Sequence, residues 1–249
     1  MMQTSLFKMS LVSATMIAKG IKHFVLKPVA EKFDYLPGQF FTIQFSVDDK
    51  TYKRSYSIAN YQELSGQIEF AASYVHKGIA SEFLFALQPL DVITITGPYG
   101  RLVYKDNAKR IILVGTGTGI TPYRAMLPLL KKKLLENPEL EVVILQGVRH
   151  QEDILYAADF REFVRSMQTP RASFRACLSR HTGALAADEY TGHVQDQFDS
   201  LELAVENTFV YLCGNPNMID ASFKYFINKG FATSQIIREK YISSTKSVN

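Results

Sequence analysis

The stretch Arg54-Ser55-Tyr56-Ser57 carries a cation, an aromatic ring and two hydroxyls on four consecutive residues. If it forms a strand, its side chains alternate between two faces, so Arg54 and Tyr56 point one way and Ser55 and Ser57 the other. A guanidinium suits a pyrophosphate, and an aromatic ring suits the face of a flavin. Taken alone, the stretch is equally compatible with an ordinary strand that carries a salt-bridging arginine.

A second group of residues, Lys77-Gly78-Ile79-Ala80-Ser81, opens a predicted helix. The N–H groups and the dipole at a helix start attract anions, and a serine there either caps the helix or donates to a phosphate oxygen. With Arg54 in the same half of the chain, these residues predict a pyrophosphate site. A plain serine near the helix start is the alternative. The predicted contacts to this cofactor also include Ala71 and Ser73.

The strongest glycine pattern is Gly115–Pro122, which follows a predicted buried strand and precedes a helix with proline in its first turn. This is the context of a dinucleotide-binding loop. The pattern departs from G-x-G-x-x-G at Ile120, and Gln146 rather than an acidic residue ends the next predicted strand, so the ordinary NAD-dehydrogenase fingerprint fails. A tight turn is the alternative. The predicted contacts are Gly115, Thr116, Gly117, Thr118, Gly119, Thr121 and Pro122.

The segment Cys213-Gly214-Asn215-Pro216 ends another predicted buried strand. Ligands of open α/β sheets bind beyond the carboxyl ends of the strands, so Cys213 and Gly214 are expected to face the cleft. A buried cysteine is otherwise a small apolar residue, which is the interpretation given to Cys177.

Ser179 and Arg180 end the third predicted strand of the second half. A hydroxyl and a guanidinium in this place could hold a ribose 2′-phosphate. Arg149, after the preceding strand, competes for that role, and either arginine is equally compatible with a solvated surface position.

Composition limits the class of protein. The chain has 249 residues, 47% of them apolar, which suits one large or two modest globular domains. A net charge of +4 is too small to indicate nucleic acid, and two cysteines cannot ligate an iron–sulfur cluster. The histidines show no metal-ligand spacing, and neither a membrane span nor a convincing signal peptide is predicted. A cytoplasmic location is therefore expected.

The first half of the chain consists of short segments rich in β-branched and aromatic residues, which glycine and proline separate. Many short strands at this spacing favour a small antiparallel barrel or sandwich. The predicted elements are Ile21–Lys27, Phe40–Phe45, Tyr52–Ile58, Gln67–Val75 and Asp91–Thr96 as strands and Ala80–Leu87 as a helix.

From about Lys109 strands alternate with helices, which predicts βαβ units and a parallel sheet. The predicted strands begin at Ile111, Val142, Ala172, Phe209 and Ile236, and the predicted helices are Pro122–Leu135, Asp153–Ser166 and Pro216–Asn228. We therefore place a β domain at 1–105 and an α/β nucleotide-binding domain at 106–249. The polar tail Ile242–Asn249 is expected to be mobile.

The ordered set of these motifs resembles the ferredoxin–NADP reductase superfamily. The motifs are Arg54-x-Tyr56-Ser57, Gly78-x-x-Ser81, Gly115–Pro122 and Cys213–Pro216. The resemblance implies an antiparallel Greek-key barrel that binds FAD, followed by a parallel α/β domain that binds NADP(H) or NAD(H). It also implies a flavin-dependent oxidoreductase without a fused iron–sulfur domain.

The resemblance implies roles for individual residues. Arg54 would hold the FAD pyrophosphate, Tyr56 would stack on the flavin, and Ser57 would hydrogen-bond near flavin N5. Gly78, Ile79, Ala80 and Ser81 would wrap the phosphates, and Cys213 would lie beside the nicotinamide. Glu239-Lys240-Tyr241 looks like the end of bacterial ferredoxin–NADP reductases, whose last residues approach the flavin. The predicted catalytic residues are Ser57, Cys213 and Glu239, with Tyr241 as a cofactor contact.

The implied activity passes hydride from NADPH to FAD and then single electrons to ferredoxin or flavodoxin, in a chain expected to be a monomer. His193 stands near the position where bacterial ferredoxin reductases often have a second arginine for the 2′-phosphate. NADPH is therefore the favoured nucleotide, and NADH is the alternative. The alternatives are an NAD(P)H:flavin or quinone reductase, a reductase component of a multicomponent oxygenase, and a flavin-binding sensor without catalysis.

Overall fold

Six antiparallel strands form the first sheet of the computed structural model, which describes residues 5–62 and 66–241. They lie in the order β4-β3-β6-β1-β2-β5. A bridge between Ile58 and Phe70 joins the two edge strands, so the sheet closes on itself as a barrel. The strands are β1 (Leu6–Ala18), β2 (Ile21–Pro28), β3 (Phe40–Val47), β4 (Lys50–Ser57), β5 (Ile68–Ser73) and β6 (Val92–Tyr99).

Aromatic rings fill the interior of this barrel. Phe41 and Phe70 are fully buried and pack edge to face with centroids 5.2 Å apart, and Phe24 stacks on Phe70 at 4.8 Å. Buried and half-buried residues alternate along most of β3, as expected for a strand with one face on a core. The short helix α1 (Ile79–Ala86) covers this domain, and its Phe83 stacks on Phe45 at 4.4 Å.

The strand β1 was absent from the predicted elements, although it is central in the sheet between β2 and β6. Its only buried residues are the three consecutive positions Met9, Ser10 and Leu11, so it lacks the alternation by which strands are recognised. The pairing of β1 with β2 shifts between Leu11 and Ser13, and this bulge exchanges the inward-facing and outward-facing positions.

A second sheet of six parallel strands follows, in the order β10-β9-β8-β7-β11-β12. The central strand β7 is buried along nearly its whole length because helices cover both faces of a parallel sheet. The strands are β7 (Arg110–Thr116), β8 (Glu141–Val148), β9 (Ala172–Leu178), β10 (Glu189–Thr191), β11 (Thr208–Gly214) and β12 (Ile236–Lys240), and the helices are α2 (Thr121–Glu136), α3 (Ala157–Met167) and α4 (Pro216–Asn228).

Two predicted positions in this domain were wrong. Helix α3 begins at Ala157 rather than at Asp153, because Gln151–Asp153 forms a separate 3-10 turn and Tyr156 takes a left-handed backbone conformation (φ 56°). Gln146 does not end its strand: β8 continues to Val148. The Gln146 side chain is buried, and its amide reaches the backbone N–H and carbonyl of Leu155 at 2.9 and 3.2 Å.

The two sheets are joined between Tyr99, where β6 ends, and Arg110, where β7 begins. The predicted boundary at 105 falls in this interval and stays a prediction. Barrel residues Ile17, Ala18 and Ile21 pack against the hydrophobic core of the second domain. The predicted mobile tail at 242–249 lies outside the described residues. Within 5–62 and 66–241, none of the helices combines the length and the apolar character needed to span a membrane.

Candidate active site

The side chains of β4 divide between two faces as the alternation predicts. Tyr56 packs against Phe41 and Phe70, with centroids 6.4 and 5.1 Å away, and burial raises the pKa of its phenol. Arg54, on the same side, lies close enough for its charge to oppose that rise in pKa. On the other face, the Ser55 hydroxyl lies 2.9 Å from the Thr42 hydroxyl.

Ser57 connects the barrel to the end of the second sheet. Its side chain is buried, and its hydroxyl donates to the Glu239 carboxylate at 2.9 Å. Since that donation uses the single proton of Ser57, the Tyr241 hydroxyl donates to the Ser57 oxygen across 2.7 Å. Residues that are far apart in sequence therefore meet at the interface between the two domains.

Cys213 completes this cluster from the neighbouring strand. It pairs with Glu239 in the parallel register of β11 and β12, and its buried thiol lies close to the Tyr241 side chain. Burial raises the pKa of the Cys213 thiol, the Glu239 carboxyl and the Tyr241 phenol. Cys213 and Tyr241 therefore keep their protons near neutral pH. The three predicted catalytic residues and Tyr241 thus lie together.

The serine in the first turn of α1 bonds within its own segment. The Ser81 hydroxyl accepts a hydrogen bond from the Val75 N–H at 3.0 Å. As a donor it can reach the Val75 carbonyl at 2.8 Å or the Gly78 carbonyl at 2.9 Å. The first turn of α1 has no side-chain cap. The N–H groups of that turn, more than the serine hydroxyl, are thus the donors this segment offers to an anion. Direct contact of Ser81 with a phosphate stays a prediction.

The glycine loop packs directly on the end of β11. A Cβ on Gly119 would lie 2.3 Å from the Cys213 carbonyl oxygen, so only glycine allows this approach. The Thr116 hydroxyl accepts from the Asn215 N–H at 2.9 Å, which ties the loop to the start of α4. Gly117, by contrast, has open space beside its Cα. The loop is therefore fixed on one side and open on the other.

The predicted 2′-phosphate residues share one edge of the second sheet. Backbone bonds from Ser179 to Val148 (3.0 Å) and from Arg180 to Arg149 (2.9 Å) hold the ends of β8 and β9 side by side. Both arginines are exposed. The Ser179 hydroxyl donates to the Val148 carbonyl at 3.2 Å, and the exposed His193 follows the end of β10.

The remaining predicted contacts have different exposures. Ala71 is buried in β5 and Ser73 at its end is exposed. Pro122 lies in the first turn of α2, and Asn215 caps α4 by accepting from the Asn217 N–H at 2.8 Å, with Pro216 at the first helical position.

One group of interdomain residues was not predicted. Arg124 of α2 contacts Glu69 of β5 and Asp159 of α3, while His23 of β2 contacts Glu69 and Tyr156. These residues fall in four separate segments of the chain, so no spacing in the sequence indicates that they meet.

The start of α2 offers a buried hydroxyl to a ligand of the glycine loop. The Thr121 hydroxyl is buried at the start of α2 and has no hydrogen-bond partner among the described residues, although buried hydroxyls are normally paired. It lies at the end of the loop that is open at Gly117, where a dinucleotide could contact both. Among residues 5–62 and 66–241, no group of three or more metal-ligating side chains is arranged to hold a metal ion.

Family models match both halves of the chain. The model described as an oxidoreductase FAD-binding domain matches residues 8–104, and the model described as an oxidoreductase NAD-binding domain matches residues 113–224. The two matches follow each other in the order of the two sheets.

Three of the similar curated proteins illustrate the range of relatives. The toluate 1,2-dioxygenase electron transfer component of Pseudomonas putida is 27% identical over 97% of this chain and 68% of its own length. The reductase component of propane 2-monooxygenase of Mycolicibacterium smegmatis is 30% identical over 88% of this chain and 62% of its own length. Ferredoxin–NADP reductase B of Sorangium cellulosum is 28% identical over 88% of this chain and 90% of its own length.

A solved structure has the same fold. A ferredoxin–NADP reductase from Neisseria gonorrhoeae, determined with bound FAD and NADP, matches 96% of this chain and 99% of its own chain with a TM-score of 0.78 and 19% sequence identity. The barrel followed by the parallel sheet is therefore an arrangement found in solved proteins.

Proposed function

The chain belongs to the ferredoxin–NADP reductase superfamily of FAD-dependent oxidoreductases, and from that premise we propose that it passes hydride from NADPH to FAD and then single electrons to a ferredoxin or a flavodoxin. The observation that carries the proposal is the bonding of Ser57 to Glu239 and Tyr241. It joins the strand proposed to hold the flavin to the strand ends proposed to hold the nicotinamide.

FAD would be held by the residues of the barrel. Arg54 and the N–H groups at the start of α1 offer positive charge to the pyrophosphate, and the Tyr56 ring offers an apolar face to the flavin. A bound flavin accepts a hydride at N5 and can release electrons one at a time. The contribution of the chain is to hold two rings in contact and to keep water away from them.

The buried cluster of Ser57, Glu239, Tyr241 and Cys213 supports that role. A hydroxyl that is anchored to a carboxylate has a fixed direction, so Ser57 can orient the reacting edge of the flavin. Cys213 is a protonated thiol at neutral pH because burial raises its pKa, and it therefore acts here by packing rather than as a nucleophile.

We propose a preference for NADPH over NADH. Arg149 and Arg180 lie at the same edge of the sheet as Ser179, where two guanidinium groups would favour the charge of a 2′-phosphate. An arginine is absent at His193, so we expect a weaker preference for NADPH than a further guanidinium there would give. Comparing the reduction rate with each nucleotide tests this preference.

A second candidate function is suggested by two relatives. The Pseudomonas and Mycolicibacterium proteins are electron-transfer components of oxygenases, so the acceptor of this chain could be an oxygenase system. The chain spans 68% and 62% of those two proteins. We propose, in addition, that the chain is cytoplasmic and monomeric. The identity of its acceptor is likewise a proposal.

The deciding experiment uses the purified protein. Its visible spectrum should show bound FAD, and anaerobic titration with NADPH should bleach that absorbance. Steady-state rates with a ferredoxin, a flavodoxin, free flavin and a quinone then separate the acceptors. A colourless protein that does not take up FAD, or a flavin that neither nucleotide reduces, would refute the proposed function.

A further inference from the structure

The guanidinium of Arg124 joins the two domains through three acceptors. It lies 2.5 Å from the Glu69 carboxylate and donates to the Ala59 carbonyl at 3.0 Å, both in the barrel. It also lies 2.5 Å from the Asp159 carboxylate of α3. The Arg124 and Glu69 side chains are only 24% and 23% exposed, so solvent weakens their attraction less than that of a surface pair.

A second bridge lies beside the first. The two ring nitrogens of His23 lie 2.9 Å from the Tyr156 hydroxyl and 3.3 Å from Glu69. The Tyr156 ring in turn lies 4.8 Å from the Arg124 guanidinium, in a cation–π contact. Tyr156 has φ 56°, a strained conformation for a bulky residue that persists only where its surroundings fix it.

Both ends of this cluster lie close to the reacting parts of the molecule. Ala59 is two residues after Ser57, and its N–H donates to the Glu69 carbonyl at 2.7 Å. Arg124 is the fourth residue of α2, which begins directly after the glycine loop. The guanidinium therefore connects the proposed nicotinamide loop to the proposed flavin strand. It lies within about one helical turn of the loop, and the carbonyl that it binds lies two residues after Ser57.

We propose that Arg124 is a positioning residue for hydride transfer: by binding Glu69, Ala59 and Asp159 together it sets the separation of the two rings. The inference rests on the proposed function. Hydride transfer is sensitive to distance, since displacing a reacting atom by about 1 Å can cost about a hundredfold in rate. Reoxidation of reduced FAD does not involve the nicotinamide and should not depend on Arg124.

The test compares Arg124→Met with the wild type in anaerobic stopped-flow experiments. We expect the limiting rate of flavin reduction at saturating NADPH to fall about tenfold or more. Bound FAD and the rate of reoxidation by an uncharged quinone should stay within about twofold. Methionine is no larger than arginine, so the substitution removes the guanidinium without overfilling the site. Arg124→Lys keeps the charge without the fork and should give an intermediate rate.

Arg161→Met is the matched control. Arg161 lies on α3 and binds the Asp188 and Glu189 carboxylates at 2.7 and 3.0 Å, but all these residues belong to the second domain. The rate of flavin reduction in Arg161→Met should equal that of the wild type. Glu69→Gln should slow reduction, and the double variant with Arg124→Met should be no slower than Arg124→Met alone.

Three results would overturn the inference. The first is an unchanged reduction rate in Arg124→Met, and the second is a parallel loss of FAD binding, reduction and reoxidation, which would mark Arg124 as merely structural. In both of these the wild-type flavin is still reduced by NADPH, so the proposed function stands. A wild-type flavin that NADPH does not reduce would instead refute the proposed function and the inference with it.

Discussion

Ser57 is the residue whose hydroxyl the two domains share. Ser57→Ala removes the donor to Glu239 and the acceptor for Tyr241, while Arg54, Tyr56 and the turn before α1 are unchanged. We expect flavin reduction to slow by about ten- to a hundredfold because the reacting edge is less well oriented. FAD binding, measured by fluorescence titration, should change little.

Ser46→Ala is the control for this substitution. Ser46 is an exposed serine of the same sheet, on the neighbouring strand β3, and its loss should not alter the reduction rate. An unchanged rate in Ser57→Ala would contradict the orienting role.

Gly119 is the residue at which the nicotinamide loop can least accept a side chain. In Gly119→Ala the new Cβ would lie 2.3 Å from the Cys213 carbonyl, so the loop must move away from β11. We expect the KM for NADPH to rise and the reduction rate to fall, each by about tenfold or more, with FAD still bound. Gly183→Ala, whose Cβ would meet only the ring of the half-buried His181, should have normal kinetics. Normal kinetics in Gly119→Ala would refute this placement of the loop.

Between elements, the stability of the domain interface should depend on pH through Glu69. The hydrogen bond from His23 lowers the pKa of Glu69, burial opposes this, and Arg124 lowers it further, to about 2 from the ordinary 4.5. A lowered pKa means that the ionised group stabilises the folded state above pH 4.5. That stabilisation is lost as the pH falls towards 2.

Glu69→Gln should therefore lower Tm by several degrees at pH 7, since about 1 kcal/mol corresponds to about 2–4 °C for a chain of this size. Thermal melts between pH 7 and pH 2.5 should show the gap from the wild type closing as the pH falls. His23 and Arg124, which contact Glu69 directly, are unchanged in the variant. Glu136→Gln, which removes an exposed ion pair on α2, serves as the control. A gap that is constant with pH would contradict the role of Glu69.

The sequence predicted those elements whose patterns are regular. Helix α4 was predicted with its observed bounds, since proline and asparagine mark its start and an apolar face runs along it. The buried strand β7 and its glycine loop were equally clear. The strand β1 was not, because its bulge and its serines break the alternation, and β10 has only three residues.

Some residues of the site could be predicted from the sequence, and others could be found only in the structure. Ser57, Glu239 and Cys213 were named from motifs, and the structure brings them together. The Arg124 cluster could not be found from motifs, because it depends on how two domains pack. The internal bonding of Ser81 is likewise a tertiary fact, since the Val75 carbonyl and N–H meet that hydroxyl only through the turn.

At the scale of the whole molecule, the net charge of +4 predicts that the rate of association with an acidic electron acceptor depends on salt. An acidic carrier should be drawn to a basic reductase, and salt should screen that attraction over about 8–10 Å. The second-order rate with a ferredoxin should fall by about tenfold or more between 0.02 M and 0.5 M salt. The rate with an uncharged quinone, measured in the same buffers, should stay nearly constant. A ferredoxin rate that ignores salt would argue against an acidic partner.

Ser57 and Glu239 are 182 positions apart along the chain. A ribosome adding about 5–20 residues per second needs roughly 10–40 s to make that interval. The last strand of the barrel ends at Tyr99, so the barrel is complete well before the strand that anchors the serine hydroxyl has been synthesised. A chain released in that window would lack Glu239 and Tyr241, so the bonding of the Ser57 hydroxyl forms only once the last strand has been translated.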